Sequence, residues 1–333
     1  MSGAGAAGAG GASGGPAEGG EAPAISVVIP HLNQPEHLVR CLDALAAQRD
    51  APPFEIIVVD NGSAALPEEI CAGHGARLLA EPEPGPGPAR NRGVAAARAP
   101  LLAFIDADCI ADPGWLAAIA RAFADPEKKI LGGDVRIWRE NPARATMLEA
   151  YESVYAYQMR DYIRRKGFTG TGNLAVRREV LAAVGPFAGI AVAEDIDWGR
   201  RAGAKGHRIH YRPDMIAFHP ARRSMKELYE KWDRHLAHFH RDVSGKRLGR
   251  LRWLARAAAV ALSPLGEIVR ILRSDRISGA RERWLAFRAM TAVRLHRARV
   301  MAALAAGRRG GEAMSGAWNR GGAKNGPGDG DRA

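Results

Sequence analysis

The sequence has few cysteines and neither of the two common glycine-rich phosphate-binding motifs. The three cysteines, Cys41, Cys71 and Cys109, have unrelated spacings, which excludes a disulfide framework and a zinc-ligand pattern and fits a reducing compartment. The first apolar strand leads into Pro30 and His31 rather than into G-x-G-x-x-G, and no G-x-x-x-x-G-K-[ST] string is present. These absences exclude a classical dinucleotide-binding dehydrogenase and a Walker-type ATPase.

The ends of the chain are poor in large apolar residues. Residues 1–23 are almost entirely Gly, Ala, Ser, Pro and Glu, with neither a basic start nor an apolar core, so we expect a disordered leader and no signal peptide. Residues 307–333 are rich in Gly and Arg and predict a disordered tail. The uncharged run Ala257–Gly266 is ten residues long, whereas a membrane-spanning helix needs about 20. The sequence therefore predicts no membrane span there.

The net charge of +12 is concentrated in the C-terminal part. Residues 221–310 hold 22 Lys and Arg against 7 Asp and Glu, whereas the rest of the chain holds 26 against 29. This asymmetry predicts a basic helical extension, residues 223–306, that meets anionic lipid or nucleic acid. Leucines and tryptophans between arginines favour an interfacial helix on an anionic membrane surface, and no nucleic-acid-binding motif accompanies the charge. The alternative is a helical pair that packs on the rest of the protein and has a solvated basic face.

Buried-strand and amphipathic-helix patterns alternate along the first third of the chain. The predicted strands are Ala24–Pro30, Phe54–Asp60, Ala76–Leu79 and Leu101–Ile105, and the helices between them are Glu36–Gln48, Pro67–Cys71 and Ala89–Ala97. This alternation predicts an α/β domain with helices on both faces of an open sheet, which we expect to span residues 24–222. Further along, the aromatic-containing stretch Arg144–Arg165 predicts one long helix.

Two carboxylates, Asp106 and Asp108, follow the strand Leu101–Ile105. Alternate residues of an extended chain point the same way, so both carboxylates can reach one hard cation that also holds a phosphate. The carboxyl end of a parallel strand is also where α/β sheets bind ligands. The alternative is an Asp-rich turn that caps the following helix, and this stretch alone leaves both interpretations open.

Other polar residues also have two explanations each. Asp60, at the end of the second strand, can bind a base or ribose, or can close an Asx turn with the residues that follow. The acidic cluster Glu194–Asp197 can cap a helix N-terminus, but three carboxylates exceed what capping requires. A carboxylate beside an apolar segment is a candidate general base, because a raised pKa helps it to accept a hydroxyl proton. His219, taken alone, indicates a structural histidine.

In their order along the chain, these motifs resemble those of family 2 glycosyltransferases with the GT-A fold, an α/β fold with a mainly parallel central sheet. The resemblance rests on Ser26–Pro30, Ile57–Ser63, Ala89–Gly93, Phe104–Asp108, Gly172–Arg178, Glu194–Asp197 and His219. It covers residues 24–220. Each motif alone is weak, but the ordered set is highly specific.

The resemblance implies a role for each matching residue. Asp106 and Asp108 match a DxD motif that holds Mg²⁺ or Mn²⁺ against the diphosphate of a nucleotide-sugar, and His219 matches a histidine that completes the metal site. Asp195 matches the general base that deprotonates an acceptor hydroxyl, which implies an inverting transferase. The other matches are to nucleotide-sugar-binding residues (Pro30, Asn33, Asp60, Ser63, Arg90 and Asn91, together with Asp106) and to a donor or acceptor loop (Gly172, Asn173 and Glu194). The implied cofactor is a divalent metal, and the implied donor is a UDP-sugar.

Two departures from the family pattern bear on the acceptor. No Q-x-x-R-W string follows the acidic cluster, which argues for transfer of one sugar per event rather than for polysaccharide synthesis. The usual Gly-Phe-Asp is replaced by Gly185–Ala188, which lacks the acid. We expect a hydroxyl acceptor such as a lipid-linked or cell-surface glycan precursor, and a cytoplasmic protein attached peripherally to the inner face of the plasma membrane. A nucleotidyltransferase and an inactive nucleotide-sugar-binding scaffold are the alternatives.

Overall fold

The computed structural model describes residues 22–244 and 249–306. The predicted tail and nearly all of the predicted leader lie outside the described residues. The chain forms two compact units: unit 1 contains the residues up to Trp138 and Tyr157–Pro220, and unit 2 contains Arg139–Ala156 and the residues from Ala221 onward. The predicted boundary after residue 222 lies next to the last division, between Pro220 and Ala221, but the sequence had not separated Arg139–Ala156 from its surroundings.

Unit 1 is built on one eight-stranded sheet. Its strands are β1 (Ile25–His31), β2 (Phe54–Asp60), β3 (Arg77–Ala80), β4 (Leu101–Ile105), β5 (Ile110–Ala111), β6 (Ile130–Trp138), β7 (Asn173–Arg177) and β8 (Ile209–Pro220). Their order across the sheet is β3-β2-β1-β4-β7-β6-β8-β5. The neighbours within β3-β2-β1-β4 are parallel, as are β6 and β8, whereas β7 and β5 are antiparallel to their partners. The predicted α/β class with a mainly parallel sheet is confirmed.

Helices cover both faces of this sheet. In chain order the first eight are α1 (Pro35–Ala46), α2 (Glu68–Gly73), α3 (Pro86–Ala96), α4 (Trp115–Phe123), α5 (Met147–Tyr155), α6 (Met159–Asp161), α7 (Arg178–Val184) and α8 (Glu194–Ala204), of which α5 belongs to unit 2. Along β1, Ile25 and Val27 join a cluster with α1 and α4, while Val28 joins a second cluster with α7 and α8. Because both faces are buried, the strands appear in the sequence as continuous apolar runs.

The strand register gathers several site residues at one edge of the sheet. His31 lies opposite Asp60 at the ends of β1 and β2, and Ile105 at the end of β4 lies opposite Asn173 at the start of β7. The pairing of β5 with β8 brings the turn between β4 and β5 next to the end of β8. The carboxyl ends of parallel strands are the usual ligand-binding edge of an α/β sheet.

The predicted long helix Arg144–Arg165 is wrong. Helix α5 ends at Tyr155, and Tyr157 has a φ of 48°, which a continuing α-helix does not allow. The chain then forms α6 and a π-helical turn, Tyr162–Lys166, that ends at a left-handed Gly167. The stretch contains no internal glycine or proline before Gly167, so its sequence gave no sign of the break.

Unit 2 is helical. Besides α5 it contains α9 (Met225–Ser244), α10 (Gly249–Leu262), a 3₁₀ turn (Ser263–Glu267), α11 (Ile268–Leu272) and α12 (Gly279–Ala305). Helix α12 packs against α5 in one apolar cluster and against α10 in another. The predicted basic helical extension is confirmed. Among the described residues, none of the helices combines the length and the apolar character that a bilayer span requires.

Two buried carboxylates connect the segments of unit 2. Glu282 on α12 accepts two hydrogen bonds from the guanidinium of Arg139, at 2.8 and 3.0 Å, and one from the backbone N–H of Ser278 at 2.8 Å. Glu152 on α5 pairs with the guanidinium of Arg222 and accepts its backbone N–H at 3.0 Å. Each carboxylate thus joins residues far apart in the sequence.

Candidate active site

The ends of β1 and β2 are joined by a buried contact between His31 and Asp60. Nδ1 of His31 donates to Oδ2 of Asp60 over 2.9 Å, and Nε2 of His31 accepts the backbone N–H of Gln34 at 3.2 Å. Because Nε2 accepts, this hydrogen-bond pattern assigns the ring proton to Nδ1. Asp60 is 1% exposed, whereas Pro30, which lies opposite Val59 on β2, is half-buried. The carboxylate therefore lies beneath the strand ends.

The loop after β2 is fastened to the loop after β1. Oδ1 of Asp60 accepts the backbone N–H groups of residues 62 and Ser63, at 3.1 and 2.9 Å, so the Asx turn is present. Oγ of Ser63 accepts the backbone N–H of Asn33 at 2.8 Å, and Oδ1 of Asn33 accepts that of Ala64 at 2.9 Å. The structure thus brings Asn33, Asp60 and Ser63 together, as parts of one cross-linked pair of loops.

The charge of Asp60 is stabilised by this network. Burial on its own raises the pKa of Asp60, but the hydrogen bonds from Ser63, His31 and Gly62 outweigh burial and hold the pKa below its ordinary value. The carboxylate is an acceptor for both loops, so its ionisation and the loop geometry support each other.

Asp106 and Asp108 lie on the turn between β4 and β5. One ligand atom each from Asp106, Asp108 and Cys109 lies within 4.8 Å of the others. Burial raises the pKa of the Cys109 thiol well above its ordinary value, and the two aspartates add to this effect, so the sulfur stays a neutral thiol. A hard cation prefers carboxylate oxygen to a thiol. The donor set that fits Mg²⁺ or Mn²⁺ is therefore the pair of aspartates.

His219, at the end of β8, lies beside Asp108. Its Nε2 is 3.4 Å from Oδ2 of Asp108, its Nδ1 donates to the carbonyl of Pro220 at 2.7 Å, and Tyr157 packs on its ring with centroids 4.7 Å apart. A histidine with Nδ1–H on a carbonyl presents the lone pair of Nε2, as metal-binding histidines do. Burial raises the pKa of Asp108, although the nearby ring of His219 opposes this rise.

Arg90, on α3, bridges two acidic motifs. Its two terminal nitrogens donate to Oδ1 of Asp106 at 2.6 Å and to Oε1 of Glu194 at 2.9 Å. Arg90 is 2% exposed, whereas the side chains of Asp106 and Glu194 are 37% and 20% exposed. Within the described part of the chain, Nε of Arg90 has no hydrogen-bond partner. The guanidinium thus supports both carboxylates from their buried side.

The loop before β7 packs closely on Asp106. A Cβ atom at residue 172 would collide with the Asp106 carboxylate, so Gly172 is required for this approach. The hydroxyl of the buried Thr171 donates to Oε1 of Glu194 over 3.4 Å. Glu194 and Asp195 are the first two residues of α8. The structure therefore gathers Asp106, Arg90, Glu194 and this loop into one cluster.

Asp195 has the environment that a general base needs. Its Oδ1 accepts the backbone N–H of Ile196 at 2.7 Å. Burial raises the pKa of Asp195, and the neighbouring carboxylate of Glu194 adds to the rise. The Ile196 N–H and the charge of Arg90 oppose this rise without cancelling it. A carboxylate with a raised pKa accepts a proton more readily near neutral pH.

Two asparagines predicted at the site use their side chains in tertiary contacts. Asn91 donates to the carbonyl of Phe187 and accepts its backbone N–H, both at 2.9 Å. Asn173 donates to a carbonyl of β6 at 2.8 Å and to one of β8 at 3.0 Å, and accepts Nε1–H of Trp115 at 2.8 Å. Both residues hold the loops around Asp106 in place, and their contact with a ligand stays a prediction.

Sequence reasoning missed three contributors. His31 was noted only as a residue standing where a glycine motif was absent, and Thr171 was not singled out. Both positions carried a usable signal, since each follows or precedes a buried strand at the ligand-binding edge. Tyr157 carried none, because its contact with His219 depends on the break after α5.

The sequence of this chain is similar to those of known glycosyltransferases. A model described as "Glycosyl transferase family 2" matches residues 26–185. The chain is 32% identical over 208 residues to the glycosyltransferase AglE of Haloferax volcanii. The aligned segment covers 60% of this chain and 68% of AglE. It is 36% identical over 119 residues to a validoxylamine A glucosyltransferase of Streptomyces hygroscopicus subsp. limoneus, covering 33% of this chain and only 26% of that protein.

A solved structure to which this chain is similar is that of a mannosyltransferase of Pyrobaculum calidifontis in complex with GDP-Man and Mn²⁺. The TM-score is 0.46 and the sequence identity is 18%, and the match covers 90% of this chain and 80% of the mannosyltransferase. The match to AglE covers more than two thirds of that relative, and the family model matches the segment that carries the first five of the ordered motifs, from Ser26 to Arg178. The chain belongs to glycosyl transferase family 2.

Proposed function

We propose that this protein transfers one sugar from a nucleoside-diphosphate sugar, with a UDP-sugar as the expected donor, to a hydroxyl acceptor, with inversion at the anomeric carbon. The observation that carries the proposal is the Arg90 bridge. One buried guanidinium holds a carboxylate of the DxD pair, Asp106, and the carboxylate next to Asp195. The sugar donor and the acceptor must lie at near-contact distance in order to react. The bridge holds Asp106, which is assigned to the donor, close to Glu194, which precedes the proposed base Asp195.

In this proposal Asp106, Asp108 and His219 hold a divalent cation, Mn²⁺ or Mg²⁺. The two carboxylates and the presented Nε2 of His219 fit such an ion, and a hard cation prefers them to the sulfur of Cys109. When bound, the ion supplies Lewis-acid stabilisation of the leaving diphosphate.

Asp195 acts as the general base. Its carboxylate accepts the proton of the acceptor hydroxyl while that oxygen bonds to the anomeric carbon. The bond from the anomeric carbon to the diphosphate oxygen breaks, and the diphosphate leaves with the electron pair. A single displacement of this kind inverts the configuration. The raised pKa of Asp195 supports this role, because a carboxylate with a higher pKa is a stronger base near neutral pH.

The cross-linked loops after β1 and β2 form the nucleoside side of the site in this proposal. Pro30, Asn33 and Ser63 line it, and Asp60 acts chiefly by holding the two loops together from beneath, since it is 1% exposed. A pre-formed binding surface of this kind lowers the ordering cost of binding.

The acceptor is proposed to be lipid-linked. Ile190 and Val192, in the segment before Glu194, are 61% and 49% exposed, which places two large apolar side chains next to the proposed base in the chain. An acceptor with an apolar portion can cover them. The absence of a Q-x-x-R-W string supports transfer of one sugar per event.

The main test is the variant Asp195→Asn, assayed for sugar transfer and donor binding. We expect kcat to fall by about 10²–10⁴-fold, with donor affinity retained, and the anomeric configuration of the wild-type product to be inverted when determined by NMR. The matched control is Asp197→Asn. This variant removes another carboxylate of the same helix, one that pairs with Arg201. Full transfer by Asp195→Asn, or a product with retained configuration, would contradict the proposal.

Donor and metal are identified by thermal shift. Wild-type protein is heated with UDP, GDP and their sugar conjugates, each with and without Mn²⁺ or Mg²⁺. Stabilisation by one donor that requires the metal supports the assignment. A donor response that is unchanged in Asp108→Asn would show that the carboxylate pair does not hold the ion.

A further inference from the structure

Unit 2 exposes seven large apolar side chains along α10, the 3₁₀ turn and α11. We call it the apolar ridge; its members are Leu251, Leu254, Leu262, Leu265, Ile268, Val269 and Leu272. The most exposed are Leu262 at 73% and Leu265 at 72%. Single exposed leucines are ordinary on a protein surface, but seven large apolar residues within 22 positions form a patch that needs a partner.

Helix α10 carries two apolar faces. Trp253, Ala257 and Val260, spaced by four and three residues, are buried in a cluster with α12. Leu251, Leu254 and Leu262 lie on the opposite face and are exposed, with Ala255 and Ala258 between them at helical spacing. Packing within a helical unit requires one apolar face. The second face is therefore left over after unit 2 has formed its own core.

Arginines border this second face. At 3.6 residues per turn, Arg250 and Arg252 project on either side of Leu251, and both are exposed. Within the described residues no carboxylate pairs with either of them, nor with Arg256. Exposed arginine stems can lie along an apolar surface while their charged ends reach an anionic layer.

We propose that the apolar ridge docks unit 2 onto the anionic surface of a lipid bilayer, with α10 lying in the plane of the headgroups. Leucines would enter the acyl boundary while the bordering arginines bind lipid phosphates. The charge pattern favours this partner over a second copy of the chain, since a symmetric pair of ridges would bring like charges together. It also favours lipid over nucleic acid, which would leave the leucines in water. This docking does not depend on the proposed sugar transfer.

The test is sedimentation of the full chain with vesicles of phosphatidylcholine, with and without phosphatidylglycerol. Wild type is compared with Leu262→Gln/Leu265→Gln and with Arg250→Gln/Arg252→Gln. The matched controls are Leu66→Gln/Leu295→Gln, which changes two exposed leucines off the ridge, and Arg288→Gln/Arg299→Gln, which removes two exposed charges from α12. Melting temperatures and the thermal response to UDP with Mn²⁺ are recorded for all.

We expect wild type to bind only the phosphatidylglycerol vesicles, and each ridge variant to bind them about tenfold or more weakly. The arginine variant should also lose most of the salt dependence, and both controls should bind like wild type. Equal binding to both vesicles, no binding to either, or equal losses in the controls would overturn the proposal. So would a wild-type dimer that the leucine variant converts to monomer. A missing response to UDP in wild type would count against the proposed sugar transfer alone.

Discussion

The candidate site of unit 1 and the interior of unit 2 both contain Arg–carboxylate pairs with one deeply buried partner, but opposite partners are buried. At the site the arginine is inside: Arg90 is 2% exposed, while Asp106 and Glu194 reach the surface. In unit 2 the carboxylates are inside: the side chains of Glu152 and Glu282 are 2% and 9% exposed, and their arginines are 27% and 21% exposed.

The inverted arrangement separates a binding role from a structural one. A carboxylate that is buried under an arginine and accepts backbone N–H groups, as in unit 2, has its acceptor capacity used inside the protein. A partly exposed carboxylate that accepts from a buried arginine with one oxygen has its other oxygen free to bind an external cation or proton. The geometry therefore predicts that removing a carboxylate of the Arg90 bridge costs activity, whereas removing Glu152 or Glu282 costs stability in unit 2.

The largest expected effect is on sugar transfer by Asp106→Asn. Because the change removes one of the two carboxylates assigned to the metal, we expect transfer to fall by about 10³-fold, with little change in melting temperature. The control is Asp214→Asn, an aspartate of similar exposure that also pairs with an arginine in unit 1, and it should retain activity. Equal activities of the two variants would break the distinction between binding and structural carboxylates.

The second effect is on the stability of unit 2. Glu282→Ala leaves Arg139 without its bidentate partner, and we expect a loss of about 3–5 kcal/mol in the free energy of unfolding, measured by urea denaturation. The control is Asp275→Ala, which removes a carboxylate that is 95% exposed and makes a long contact of 3.9 Å with Arg276. It should change the free energy of unfolding by about 0.5 kcal/mol at most. Donor binding should survive in both. A Glu282→Ala protein as stable as the control would contradict the structural role.

Much of the fold of unit 1 was predictable, because its strands are buried on both faces and therefore appear as unbroken apolar runs. Asp106 and Asp108 could be located from the end of one such run. The fold class, the basic helical extension and the family are confirmed, whereas the roles assigned to individual residues stay predictions. Their positions agree with one site, since Arg90 contacts both Asp106 and Glu194.

What the sequence did not reveal depends on contacts between distant segments. Gly172 packs against Asp106 across the β4–β7 pair, and nothing near residue 172 indicates this partner. The break at Tyr157 has no glycine or proline to mark it. Strand β8 is one strand of 12 residues, and its irregularity appears only in its pairing with β6, where the register shifts between Gly133 and Asp134.

A third prediction concerns two buried carboxylates within unit 1, Asp60 and Glu55. The pKa of each is held below its ordinary value by hydrogen bonds that outweigh burial. A depressed folded-state pKa contributes stability that is present above the unfolded value of about 4 and is lost as the pH falls through the folded value. Asp60→Asn and Glu55→Gln should each lose about 1–3 kcal/mol at neutral pH, and this deficit should shrink in acid.

Donor affinity separates these two variants. Asp60 holds the loops at the carboxyl ends of β1 and β2, whereas Glu55 accepts from Ser26 and Arg98 at the other end of the sheet. Calorimetric titration with UDP and Mn²⁺ should therefore show weaker binding for Asp60→Asn and unchanged binding for Glu55→Gln. Equal affinities would remove Asp60 from the nucleoside side of the site.

The smallest expected effect is a shift in the pH dependence of transfer. Asp195 must be ionised to act as a base, so kcat/KM should rise as the pH passes upward through its pKa. The carboxylate of Glu194 raises that pKa, and Glu194→Gln should therefore move the acidic limb of the profile to lower pH. Asp197→Asn, on the same helix, should leave the limb in place. A shift of the acidic limb to higher pH in Glu194→Gln would show that the carboxylate of Glu194 does not raise the pKa of Asp195.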